Sequence, residues 1–201
     1  MNHLELVEGL ILCGGQAQRM GGQDKGLITL NTKPLYQHGI ERLVPQVGHI
    51  MLNANRHQDI YGKSGYPVYS DTYPGFVGPL AGFHVGLSHC KAPYLVIIPC
   101  DSPLFPDNLV QLLFQNLESQ QADIAYVVTR NTGQEKQSHP VFCLMRNGLK
   151  NHLSAFLDSG QRKIDKWFGQ LRSTEVMFAS DDAFININTP EELIQVESRL
   201  K

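Results

Sequence analysis

The 201-residue sequence predicts an α/β fold with a mostly parallel central sheet covered by helices on both faces. Three observations carry this expectation. Short aliphatic runs alternate with stretches of helical period; the runs are continuously apolar, as strands buried on both faces are; and polar or glycine-bearing segments follow the runs, where open α/β sheets bind ligands. The length suits one domain over residues 1–201, and 42% hydrophobic against 18% charged residues supplies a core and excludes a disordered chain.

Taken in order, the runs at 9–13, 49–53, 66–69, 94–99, 124–129 and 141–145 read as strands. The stretches 34–43, 56–61, 80–89, 106–118 and 148–157 read as helices, with apolar residues three and four apart, as at Leu109, Leu112 and Leu113. The last helix is the best signalled. Thr189 is a candidate N-cap, Pro190 suits the first helical position, and Glu192 completes a capping box ahead of Leu193 and Val196. The polar segment 130–139, with Gly133 and Glu135, reads as a mobile loop beside the sheet.

A net charge of -2 gives no electrostatic footprint for nucleic acid or an anionic membrane, while leaving room for a locally basic pocket that takes a small anion. The first eight residues carry two glutamates and no basic segment, so no signal peptide is expected, and no run is long enough to span a membrane. Cys13, Cys90, Cys100 and Cys143 form no CxxC pair; they read as small apolar residues in or near the sheet of a cytoplasmic protein.

Chemistry concentrates after the first run. Residues 12–26 hold five glycines together with Arg19 and Lys25. Glycines let backbone N–H groups close around phosphate oxygens, and two cations offset the charge of a triphosphate. The spacing matches neither GxGxxG nor a Walker A loop, since five residues separate Gly15 from Gly21 and no lysine follows Gly22. Just past the run at 94–99 comes Cys100-Asp101-Ser102-Pro103. Asp101 is placed to hold Mg²⁺, an ion satisfied by one or two carboxylates with water and phosphate oxygens; the same position suits a turn or cap aspartate equally. Asn53 and Asp71 end two other runs on the same rim. Guanine presents N1–H and N2–H₂ donors that an amide or carboxylate oxygen accepts, although turn roles suit each residue singly.

These segments together resemble the molybdenum cofactor guanylyltransferases, within the wider nucleotidyltransferases that share a three-layer, Rossmann-like sheet. The family pattern Leu-Ala-Gly-Gly, Arg-Met-Gly and Asp-Lys appears as Leu12-Cys13-Gly14-Gly15, Arg19-Met20-Gly21 and Asp24-Lys25, with Cys13 in place of alanine. Leu52-Asn53-Ala54-Asn55-Arg56, Asp71, Gly78 to Gly82, Pro99-Cys100-Asp101, His139-Pro140 and Asn186 to Pro190 follow in matching order over nearly the whole chain. Gly14, where the related cytidylyltransferases resemble Leu-Ala-Ala-Gly, favours guanine.

The resemblance implies GTP contact by Leu12, Cys13, Gly14, Gly15, Lys25, Asn53, Asp71 and Asp101, with Asp101 also the Mg²⁺ ligand and Arg19, Lys25 and Asp101 as the catalytic set. It implies transfer of GMP from GTP to the terminal phosphate of molybdopterin by a monomer, with transient contact to molybdenum insertion proteins and molybdoenzyme maturation chaperones. His139-Pro140 and Asn186 to Asn188 are expected on the pterin or pyrophosphate side. Trp167 suits the core better than a pterin site. The alternatives are a cytidylyl- or sugar-nucleotidyltransferase on the same scaffold, or a non-catalytic adaptor that delivers cofactor.

Overall fold

The computed structural model describes residues 3–13, 16–17, 23–73, 78–130 and 135–199. In chain order its strands are β1 (Val7–Leu12), β2 (Gln16–Ala17), β3 (Gln23–Asp24), β4 (Thr29–Leu30), β5 (Lys33–Pro34), β6 (His49–Asn53), β7 (Val68–Tyr69), β8 (Tyr94–Pro99), β9 (Ile124–Thr129), β10 (Gln137–Arg146) and β11 (Ser173–Phe178). Its α-helices are α1 (Leu35–Leu43), α2 (Gln58–Tyr61), α3 (Pro79–His89), α4 (Leu109–Ser119), α5 (Lys150–Asp158), α6 (Ile164–Phe168) and α7 (Pro190–Arg199).

Seven strands form one sheet in the order β11-β9-β10-β8-β1-β6-β7. At its centre β1 pairs in parallel with β6 and β8, and all six β1 residues are buried. That burial explains the apolar run from Gly9 to Leu12: with helices over both faces, its side chains are almost wholly withdrawn from water. β10 runs antiparallel to β8 and β9, so the sheet is mostly rather than wholly parallel.

Alternation along the strands divides the core into two layers. Val7 and Ile11 of β1 with Val96 and Ile98 of β8 pack on Leu43 of α1 and Leu113 of α4. Leu10, Leu95 and Ile97 face the other way, onto Phe83 of α3, Phe156 of α5 and Trp167 of α6. Trp167 is fully buried and its indole N–H donates to His152 Nδ1 at 3.0 Å, which gives it a core role. The four cysteines are free and buried.

Several boundaries differ from the sequence expectation. His57 sits in the left-handed region at φ 52°, so the helix expected from residue 56 begins at Gln58. A turn closed by Leu109 N to Pro106 O delays α4 to Leu109. Residues 137–139, expected in a mobile loop, are strand, because β9 offers them ladder partners from Thr129 back to Val127. Residues 131–134 of that expected loop lie outside the described residues. α6 and β11 went unpredicted: one is a five-residue helix, too short to display a period, and the other mixes polar and apolar residues at the sheet edge.

Candidate active site

The C-terminal ends of β6, β1 and β8 open into one cavity of about 670 Å³. Leu12, Cys13, Lys25, Asn53, Asp71 and Asp101 all line it, so the structure brings together every described residue of the expected site. Gly14, Gly15 and Arg19 lie outside the described residues.

Lys25 enters from a 3₁₀ turn, Lys25–Leu27, whose first turn is set by Asp24. The Asp24 carboxylate accepts from Gly26 N at 3.2 Å and from the Tyr61 hydroxyl at 2.6 Å. Burial, the neighbouring Cys13 thiol and the bond to Asp24 all push the Tyr61 phenol upward, so it remains a neutral donor. Hydrogen bonding with Cys13, followed by burial, likewise pushes the Cys100 thiol up and keeps it protonated.

The Lys25 ammonium donates to Asp101 Oδ2 at 3.0 Å and also to Asn188 Oδ1. Asn188 comes from the far end of the chain through two attachments. Ile187 N bonds Asp101 O at 2.8 Å, and Ser102 Oγ donates to Asn186 Oδ1. The predicted capping box then fixes Asn188 from below: Glu192 Oε2 accepts from Asn188 N at 2.6 Å and Thr189 N at 2.9 Å, while Glu192 N bonds Thr189 Oγ1 at 3.3 Å. A helix cap thus sets a side chain of the site.

On the opposite flank, Asn53 Nδ2 donates to Tyr69 O at 3.2 Å and Asp71 Oδ1 at 2.9 Å. Both amide hydrogens are then engaged, which leaves Oδ1 as the acceptor. Asp71 Oδ2 takes a further bond from Asn55 at 2.8 Å, and Asn55 Oδ1 accepts from Asp71 N at 2.8 Å. Gly82 of α3 closes over this pair. A Cβ there would stand 2.6 Å from both Asn53 Oδ1 and Leu12 Cδ2, so only glycine lets the helix lie this close. Gly78, at φ 72°, and Pro79 start that helix at the cavity wall.

Asp24, Tyr61 and Asn55 were missed as site residues. Asp24 and Asn55 carried a signal, since they stand in the Asp-Lys pair and in the 52–56 motif; Tyr61 acts through contacts distant in sequence. His139 and Asn186, expected on the pterin or pyrophosphate side, both line the cavity. Among the described residues no group of three or more His, Cys, Asp or Glu side chains could form a metal cage. Asp101 is nevertheless a hard-oxygen donor on the cavity wall. It fits an ion such as Mg²⁺, whose remaining ligands are phosphate oxygens and water.

Comparison with known proteins decides the family. The MobA-like NTP transferase domain matches residues 9–175. A molybdenum cofactor guanylyltransferase of Polynucleobacter asymbioticus is 50% identical over 98% of this chain and 98% of its own. The chain belongs to the molybdenum cofactor guanylyltransferase family. Another guanylyltransferase of this family, from Cupriavidus necator, is 48% identical over 96% of this chain and 97% of its own. Among solved structures, the molybdopterin-guanine dinucleotide biosynthesis protein A of Archaeoglobus fulgidus matches with a TM-score of 0.77 at 21% identity, covering 96% of this chain and 98% of that one. A 4-diphosphocytidyl-2C-methyl-D-erythritol synthase from Anaerococcus prevotii shares the fold at a TM-score of 0.74 and 12% identity, over 98% of each chain. Family members are nucleotidyltransferases, and the fold is the Rossmann-like sheet of that class.

Proposed function

We propose that this protein transfers GMP from GTP to the terminal phosphate of molybdopterin, releasing pyrophosphate and forming molybdopterin guanine dinucleotide, with residues 1–201 acting as one domain and a monomer in the cytoplasm. The observation that carries the reading is the convergence of Asn53, Asp71, Lys25 and Asp101 on one cavity in a chain of this family. The acceptor phosphate is anionic near neutral pH and needs no activation beyond alignment. The protein's task is to bring two negative groups together and to offset charge that grows on the phosphates.

The flank formed by Asn53 and Asp71 is suited to the base. Asn53 Oδ1 and the Asp71 carboxylate offer acceptors for the N1–H and N2–H₂ donors of guanine, and their mutual bonds fix them before GTP arrives. Lys25 then binds triphosphate oxygens. Its resting contacts with Asp101 and Asn188 hold the ammonium in the cavity, so little side-chain freedom is lost on binding. Arg19 and the backbone of Gly14 and Gly15 complete the phosphate cradle. Asp101 would hold Mg²⁺, which would supply charge neutralisation at the phosphates. Transient contact with molybdenum insertion proteins and molybdoenzyme maturation chaperones belongs to the same reading.

Incubation with GTP, Mg²⁺ and purified pterin cofactor tests the reading: guanylylated pterin and pyrophosphate are expected in equal amounts. GTP binding without GMP transfer would leave only an adaptor. A thermal-shift panel of GTP, CTP, ATP and UTP with Mg²⁺ tests the base, with GTP expected to raise the midpoint most.

A further inference from the structure

The cavity has a second flank, beyond Asp101, that the nucleotide contacts leave unused. Because β10 runs antiparallel to β8, the start of β10 lies beside the end of β8, and Gln137 to Phe142 line the cavity there. The ladder with β9 shifts between His139 and Cys143: His139 pairs with Val127 and Cys143 with Tyr126, so Pro140, Val141 and Phe142 bulge out of register. Proline has no N–H for the ladder, and bulges of this kind re-aim side chains next to binding sites.

His139 is held from behind by a chain of hydrogen bonds. Thr129, fully buried at the end of β9, donates its hydroxyl hydrogen to the Asp181 carboxylate. With that hydrogen committed, Thr129 Oγ1 accepts from His139 Nε2, 2.8 Å away, and Asp181 Oδ1 itself is 3.6 Å from the same nitrogen. Nε2 therefore carries the ring hydrogen. Phe184, from the 3₁₀ turn that begins at Asp181, packs against the imidazole at 5.3 Å. Burial holds the ring below the usual histidine range against the pull of Asp181, so it is neutral at pH 7. Nδ1 makes no hydrogen bond with a described residue and presents a lone pair.

We propose that the Asp181–Thr129–His139 chain makes His139 Nδ1 the acceptor for a ring N–H of the second substrate, with the bulge at 140–142 as the surface beneath that ring. The chemistry selects the ligand. A neutral nitrogen lone pair repels a phosphate dianion and attracts an N–H donor, and an apolar bulge suits a flat heterocycle rather than a sugar or peptide. This rests on the acceptor being a pterin, as proposed above, and gives His139 a role in recognising it. Thr129 and Asp181 are positioning residues that act through the ring.

Two substitutions separate the ring nitrogens. In His139→Gln the amide reaches the place of Nε2 and keeps the bond to Thr129 while Nδ1 is lost; in His139→Asn the amide oxygen stands near Nδ1 and the bond to Thr129 is lost. The KM for pterin cofactor should rise about five- to tenfold in His139→Gln, with the KM for GTP unchanged, and His139→Asn should recover part of that loss. An unchanged pterin KM, or an equal rise in both KM values, overturns the assignment. ¹⁵N spectra of the wild-type histidines, with His139 assigned by its loss in His139→Asn, give a readout independent of turnover and of how His139→Gln folds. The unprotonated Nδ1 resonance should move on adding 6-hydroxymethylpterin and stay in place on adding GTP. Absence of that movement overturns the proposal. Movement without GMP transfer by the wild type would instead overturn the guanylyltransferase reading and leave this one standing.

Discussion

Lys25 and Asp101 meet at 3.0 Å with side chains only 20% and 14% exposed, so the pair is neither a surface ion pair nor a sealed core pair. Water reaches it, and so can phosphate. Asp101→Ala should lower GMP transfer by at least about 100-fold, because charge stabilisation at the reacting phosphates is lost. The same variant should keep its thermal midpoint within about 4 °C of wild type, since Asn188 still accepts from Lys25. Near wild-type transfer at ordinary Mg²⁺ would remove Asp101 from the mechanism. Lys25→Ala should act mainly on the triphosphate, raising the KM for GTP and lowering kcat together; steady-state rates over a GTP series would show it, and unchanged constants would refute it.

α3 and α7 each connect packing to the site through one residue. On α3, Gly82 leaves no room for a methyl group against Asn53 Oδ1 and Leu12. Gly82→Ala must push Asn53 from its bonds with Tyr69 and Asp71 or lift the helix, a strain of about 1–3 kcal/mol. We expect GTP affinity to fall roughly tenfold in titration calorimetry, since about 1.4 kcal/mol corresponds to that factor. An unaltered affinity would mean that the helix yields and Asn53 stays. At α7, Thr189→Ala removes half of the capping box and should cost about 1 kcal/mol, or about 2–4 °C in thermal midpoint for a chain of this size. Because Glu192 also holds Asn188 N, GMP transfer should fall as well; full activity with the lowered midpoint would separate the cap from the site.

The whole molecule carries a pH dependence set by two histidines, His84 buried and His139 partly buried. His84 bridges Thr72 at 3.3 Å and Ser154 at 3.0 Å, tying the segment after Asp71 to α5, and burial followed by the Lys150 charge lowers its pKa. His139 is lowered by burial too. Both groups bind a proton more weakly in the folded chain than in the unfolded one. Above about pH 6.5 both states are neutral and nothing is lost; as pH falls below that value the unfolded chain takes up protons first, and stability declines. Urea denaturation at pH 7.5 and 5.5 should show a lower stability at pH 5.5, with a smaller difference in His84→Gln. Equal stability at the two values would rule this out. Asp123 and Glu175, lowered by Arg172 and Lys136 respectively, add losses in the same direction at more acid pH.

Legible in the residues alone were the alternation of buried strands with helices, the capping box of α7, and the polar residues at or just past the ends of β6, β7 and β8. Each of these is local: continuous apolar runs, a reciprocal cap spanning three residues, and a side chain at a strand's last position or two past it. Folding in three dimensions sets which of those residues share a cavity, joins Asn188 to Lys25 across 163 positions of chain, and turns β10 antiparallel so that His139 reaches the second flank. Strand order and the docking of the 186–188 segment on Asp101 arise from long-range hydrogen bonds and core packing. Those energies depend on which surfaces meet, and no run of neighbouring residues encodes them.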